Sequence, residues 1–198
     1  LFEDDGPLQP TITPSQSPVL LTFDGGLAGG NFWGKGSDSD LDTRPTVASA
    51  TLGDGADAFY SISDLAPGVD TTGTRVVENK LKLWLSGQDT SLDSGFLSGG
   101  KPVMLTINQA QTVVTGSTTE GDVFTLALQD SSAFDKLTLT QLRPIDHYNA
   151  QTYSGDYIAD VVSLAKQKIS LLVSVRDTDA DKDYLLASAE IDLGDKIQ

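Results

Sequence analysis

The side chains with the greatest chemical capacity in this sequence are carboxylates, and they are nearly all of one kind. The 198 residues include 24 Asp and only 4 Glu. Asp recurs at alternate positions: Asp177, Asp179 and Asp181 within Asp177-Thr178-Asp179-Ala180-Asp181-Lys182-Asp183, then Asp38, Asp40 and Asp42. Asp54 and Asp57 follow in Gly53-Asp54-Gly55-Ala56-Asp57, and Glu3-Asp4-Asp5 is acidic as well. Carboxylates at i, i+2 and i+4 can converge on one hard cation, which is how an EF-hand loop begins. The 177–183 run departs from that motif, because Lys182 stands where it needs Gly and Ser188 where it needs Glu. A calcium loop at a strand–strand turn is the expectation, with a solvated acidic hairpin tip as the alternative. Like charges at this density repel, so a tight turn there needs a cation or accepts disorder.

A second candidate constellation lies upstream of the 38–42 run. Gly29-Gly30-Asn31-Phe32-Trp33-Gly34-Lys35-Gly36 sets two aromatics among glycines. An aromatic platform beside a cation suits a sugar or a peptide; the alternative is that both rings anchor a loop to the core. Asn31, Trp33, Arg44 and Tyr60 are the candidate ligand contacts, with Arg44 placed to pair with a carboxylate. Enzymatic signals are weak. His147 is the sole histidine, and it follows Asp146 directly, which is not a catalytic triad. No Gly-x-Ser-x-Gly elbow or phosphate loop is present, and the chain is expected not to be an enzyme.

Composition narrows the partners. Thirteen basic against 28 acidic residues give a formal charge of −15, with a pI near 4.1. That balance argues against nucleic acid and against anionic membrane surfaces. No apolar run approaches the ~18–20 residues that span a bilayer, and the acidic start is unlike a secretory leader. Without Cys there are no disulfides and no thiol chemistry.

These residues must be positioned by strands. Val19–Phe23, Ala58–Ile62, Leu81–Leu85, Val103–Ile107, Thr112–Thr115, Val123–Leu128, Leu137–Thr140, Ile169–Val175 and Tyr184–Ile191 are short apolar or alternating runs. Gly116 and Glu120-Gly121-Asp122 are expected to supply turns. Only Asp160–Lys166 is compatible with a helix. The predicted fold is all-β, a β-sandwich with long loops and at most one or two short helices. Residues 1–18 read as a linker and extended lead-in, and 19–198 as one sandwich with a loop-rich region at 24–73.

Phrases at the two ends carry a resemblance. The chain starts Phe2-Glu3-Asp4-Asp5-Gly6-Pro7 and finishes Ile191-Asp192-Leu193-Gly194-Asp195-Lys196-Ile197. Between them lie Leu137-Thr138-Leu139-Thr140-Gln141, Arg143, Ile145-Asp146-His147 and Val173-Ser174-Val175-Arg176-Asp177. Together these resemble one unit of the type I secretion-associated repeats of giant RTX adhesins, with Ala180 replacing the usual Gly of the Asp-rich turn. The resemblance covers residues 1–7 and roughly 100–198, and leaves 24–73 unmatched.

The resemblance implies a single monomeric adhesin module, stabilised by Ca²⁺, outside a Gram-negative cell after type I export. Glu3, Asp4 and Asp5 would then bridge to a neighbouring module. The expected function is Ca²⁺-dependent binding of peptide or protein C-terminal ends on other cells, in adhesion and biofilm formation. Glycan binding and a purely structural extender are the alternatives.

Overall fold

Alternation of apolar and polar residues sets most of the strands. The computed structural model describes residues 8–15, 19–20, 22, 46–51, 58–63, 76–88, 91–129, 136–143, 145–146, 163–178 and 182–197. Among these the chain is all-β, apart from one 3-10 turn at Ser86–Gln88. The strands are β1 (Thr11–Pro14), β2 (Thr46–Thr51), β3 (Tyr60–Ser63), β4 (Val76–Leu85), β5 (Leu92–Ser98) and β6 (Lys101–Ile107). They continue with β7 (Val113–Thr118), β8 (Gly121–Gln129), β9 (Lys136–Gln141), β10 (Ile169–Thr178) and β11 (Tyr184–Asp192).

Three antiparallel sheets result. Strands β5 to β9 form a meander that β2 joins at its far side, giving the order β2-β9-β8-β7-β6-β5. A second sheet runs β11-β10-β4, and β1 pairs with β3 in a small third one. The inner faces of the two larger sheets supply one core. Leu81, Leu83, Leu85, Leu171, Val173 and Val175 come from one, and Val103, Leu105, Val114, Leu126, Leu137 and Leu139 from the other. That is sandwich-like packing, in which each strand buries every second residue. Phe96 and Phe124 meet edge to face in this core, with centroids 6.2 Å apart.

Several expectations change. The lead-in holds a strand, β1, whose register runs from Thr11↔Ser63 to Pro14↔Tyr60. Pro14 is tolerated because it ends that strand, where a missing N–H is least costly. Val19, Leu20 and Thr22 do not form a named strand; Leu20 makes one parallel bridge to Ile197 and is buried. The 24–73 region contains β2 and β3. Of the helix-compatible stretch, residues 163–165 have no helical structure, and 160–162 lie outside the described residues.

Two errors of pattern reading have clear causes. Strand β5, Leu-Asp-Ser-Gly-Phe-Leu-Ser, carries Gly95 at φ +84° and a register shift between Asp93 and Leu97. Such a bulge disguises the alternation that reveals a strand. Gly116 is not a turn residue but lies inside β7, directly opposite Phe124. A Cβ at Gly116 would fall 2.4 Å from Cε1 of that ring, so the glycine makes room for a buried aromatic across the ladder. The β7–β8 turn is Thr119-Glu120, just ahead of the expected Glu120-Gly121-Asp122, whose Gly121 and Asp122 open β8; of the expected turn at 177–183, residues 179–181 lie outside the described residues.

Candidate functional site

The β10–β11 hairpin is the described element that carries a candidate metal ligand. Its ladder runs from Ser170↔Asp192 to Thr178↔Tyr184. Strand alternation directs Asp177 to the same side as Val173 and Val175, and all three are 0 % exposed. A carboxylate brought out of water costs several kcal/mol unless a cation or hydrogen-bond donors compensate it, and Asp177 does have an interaction partner within the chain. Its hard oxygen donors are also of the type that suits Ca²⁺. At the turn itself Lys182 takes a left-handed φ of +83°. On the opposite face of the hairpin the Arg176 guanidinium lies 4.1 Å over the Tyr184 ring, a cation–π contact.

The other candidates divide sharply. Tyr60 is 1 % exposed and belongs to the core. Glu3, Asp4, Asp5, Asn31, Trp33, Asp38, Asp40, Asp42, Arg44, Asp54, Asp57, Asp179 and Asp181 lie outside the described residues. Among the described residues, no group of three or more His, Asp or Glu gathers as a metal site.

What the described Asp residues do was missed by the search for ligands. Asp146 accepts from the backbone amides of Gly99 (3.0 Å) and Gly100 (2.7 Å). Those glycines form the two-residue β5–β6 turn between Ser98 and Lys101, at φ +58° and +73°. Two successive left-handed residues are what a type I′ hairpin needs. The amide of Asp146 donates to Leu97 O at 2.8 Å, and Ile145 before it is fully buried. The Ile-Asp phrase therefore docks one chain segment on another hairpin's tip.

Asp192 acts similarly. Its carboxylate accepts from Gln167 N at 3.0 Å and from Gly194 N at 2.9 Å. Asp93 holds Gly95 N at 2.9 Å. An Asp followed two residues later by Gly is an Asx-turn signal, legible in both cases. Asp146 had no such signal, since its partners are 46 and 47 residues away.

At the neighbouring β7–β8 turn Glu120 pairs with Lys101, and Arg143 Nη1 stands 3.6 Å from its other oxygen. Arg143 also donates to the Glu120 carbonyl. The Lys101 hydrogen bond and charge, aided by Arg143, hold the Glu120 carboxyl below its ordinary range. All three side chains are well exposed, so this is a turn brace of small energy.

The profile of one family, described as a domain of unknown function (DUF5801), matches residues 36–194. The chain belongs to the DUF5801 family. No curated protein and no solved structure matches it. The span shared with DUF5801 contains Asp146, Asp177 and Asp192 together with the 38–42 and 54–57 runs. It excludes Asn31, Trp33 and the acidic residues at 3–5.

For this DUF5801 domain, Asp146→Ala is expected to cost about 1–3 kcal/mol, the range for hydrogen bonds to a charged acceptor. Asp146→Asn, which keeps one acceptor oxygen, should fall between Ala and the native residue. Thermal unfolding measures both, and equal melting points for all three proteins would remove the capping role.

Proposed function

We propose that this chain is a Ca²⁺-dependent ligand-binding module of a bacterial surface adhesin, taking peptide or protein C-terminal ends. The observation that carries the reading is Asp177: a fully buried carboxylate at the end of β10 that is followed in sequence by Asp179, Asp181 and Asp183. Asp177, Asp179 and Asp181 would hold one ion as a structural staple. Asp38, Asp40 and Asp42, or Asp54 and Asp57, would hold another at a ligand surface. A bound Ca²⁺ there supplies an open coordination position that a terminal carboxylate can fill. Arg44 would pair with the same carboxylate, while Trp33 would pack against an apolar residue of the ligand. Tyr60, being in the core, drops out of the ligand contacts. On this reading the module is exported by a type I system and works outside the cell, joined to others of the same protein.

The resemblance to RTX adhesin repeats supports the extracellular setting, and physical chemistry supports the metal. In a cytosol poor in free Ca²⁺ the acidic loops repel, which keeps the domain loose. At ~1 mM Ca²⁺, a site with Kd of ~10⁻⁴ M stabilises the folded state by about 1.4 kcal/mol. For a domain of this size that is roughly 3–6 °C in Tm per site.

Calorimetry with 1 mM Ca²⁺ and with chelator is therefore expected to show a rise of this order. Asp179→Asn combined with Asp181→Asn should shrink it. An unchanged melting temperature would sink the calcium premise. Peptide and glycan arrays, each run with Ca²⁺ and with chelator, test the ligand. Chelator-sensitive hits on free C-termini are expected; hits on glycans alone favour a lectin, and no hits favour an extender.

A further inference from the structure

The outer face of the β11-β10-β4 sheet carries a feature that the calcium reading does not use. Strand β4 places Lys80, Lys82 and Trp84 at i, i+2 and i+4, hence on one face and about 6.8 Å apart from each to the next. Both lysines are exposed and Trp84 is half-buried, while Leu81, Leu83 and Leu85 between and beyond them face the core. Lys168 sits one step past Trp84, where its carbonyl accepts from Ser86 N at 3.1 Å. Of the chain's nine lysines, Lys82 is thus one step from the indole and Lys80 two steps, with the backbone of Lys168 on the far side. None of the three has an ion-pair partner among the described residues.

The register supplies the floor. Lys80 lies across from Ser174, which pairs in turn with Ser188, and both serines are exposed. Lys82 lies across from the half-buried Leu172, so the floor beside the lysine stripe is two short hydroxyls and one apolar side chain. Acids share this face: Asp192 keeps its charge while accepting from backbone amides, and Glu78 occupies the register position opposite Arg176, two residues before Lys80. Glu190 is two strands from Lys82, about 9.6 Å by the spacing of strands.

Net charge does not decide the sign here. At physiological salt the Debye length is about 8 Å, so a ligand here feels the charges of this face, Lys80, Lys82, Lys168 and Arg176 against Glu78, Glu190 and Asp192, far more than the rest of the chain. We propose that this stripe binds a linear acidic polysaccharide with one carboxylate per sugar, a polyuronate. Lys80 and Lys82 pair with carboxylates on neighbouring sugars. The Trp84 ring stacks on a pyranose C–H face, and Ser174 and Ser188 hydrogen-bond sugar hydroxyls. A nucleic acid, with its denser charge, meets the acidic surroundings over a greater length; an acidic peptide makes no use of the indole and hydroxyl floor.

The site contains no calcium ligand, so its test is run in chelator. Titration calorimetry with an oligogalacturonate is expected to give binding that weakens with added salt. Lys80→Gln with Lys82→Gln should weaken it about tenfold, the scale of two modest ion pairs. Trp84→Ala should weaken it to a similar degree, while Trp84→Phe, which keeps an aromatic face, should retain most of it; melting curves check that each variant is folded. A neutral oligosaccharide of equal length and polyglutamate should both bind more weakly. The proposal is overturned if oligogalacturonate does not bind, or if the lysine double variant binds as the native chain does. It is also overturned if polyglutamate or single-stranded DNA binds as tightly as the uronate. These outcomes are independent of whether Ca²⁺ raises the melting temperature.

Discussion

Gly194→Ala should lower stability by about 3 kcal/mol, the upper end of what overpacking a well-filled site costs. An added Cβ would lie 2.5 Å from Lys166 Cα, 3.0 Å from its amide nitrogen and 3.1 Å from Ala165 O. These are backbone atoms, so rotating a side chain cannot relieve the contact. Nor can the 163–168 segment withdraw easily. Leu164 N donates to Ile197 O at 2.8 Å, Asp195 N to Leu164 O at 3.2 Å, and Asp192 grips Gln167. Leu164, Leu193 and Ile197 are buried on either side of the contact. For this chain length the loss corresponds to a fall of roughly 6–12 °C in Tm. Lys166→Ala, which deletes only the exposed 2.8 Å ion pair with Asp195, should leave the melting temperature nearly unchanged. If the two variants melt together, the close backbone approach is not what Gly194 provides.

Gly116→Ala should cost about 2–3 kcal/mol for a different reason. The new methyl would meet Phe124 at Cε1, Cζ and Cδ1, at 2.4, 2.7 and 2.8 Å. That ring is fully buried and set edge to face on Phe96, so it has no free space to move into. Combining Gly116→Ala with Phe124→Leu removes the clashing atoms, and the double variant should lose less than the two single losses together. A coupling of about 1 kcal/mol or more is expected for residues in direct contact. Strict additivity in urea unfolding would show that the ring does not rest on the glycine.

Both glycines belong to stretches that the sequence marked for other reasons. Gly194 lies in the Ile-Asp-Leu-Gly phrase that carries the adhesin resemblance. Its residues have separable structural duties: Ile191, Leu193 and Ile197 fill the core, Asp192 binds two amides, and Gly194 admits a crossing backbone. Gly116 was expected at a turn because glycine usually punctuates strands. Only the position of Phe124 across the ladder reveals that it is a strand residue.

The Asp surplus divides along the same line. Side-chain length accounts for three of the 24 Asp: Asp93, Asp146 and Asp192 reach backbone amides at 2.7–3.0 Å, a task for a short carboxylate. Asp177 is a separate case, a carboxylate directed inward. The Asp177–Asp183 run was legible as a hairpin from its composition alone. Which of its carboxylates is buried depended on strand phase, which a run of alternating Asp does not define.

The class of fold, most strand positions and the two strands that flank the 177–183 run follow from local alternation and turn chemistry, and so can be read along the chain. The sequence also located the acidic runs that motivate calcium. The tertiary structure decided the rest. It set the strand order, buried Tyr60 and Asp177, joined Asp146 to a turn almost fifty residues away, and gathered Lys80, Lys82, Trp84 and Lys168 on one face beside Ser174 and Ser188. Those pairings are long-range: each depends on which strands lie side by side and in what register, and a one-residue slip would turn every one of these side chains to the opposite face.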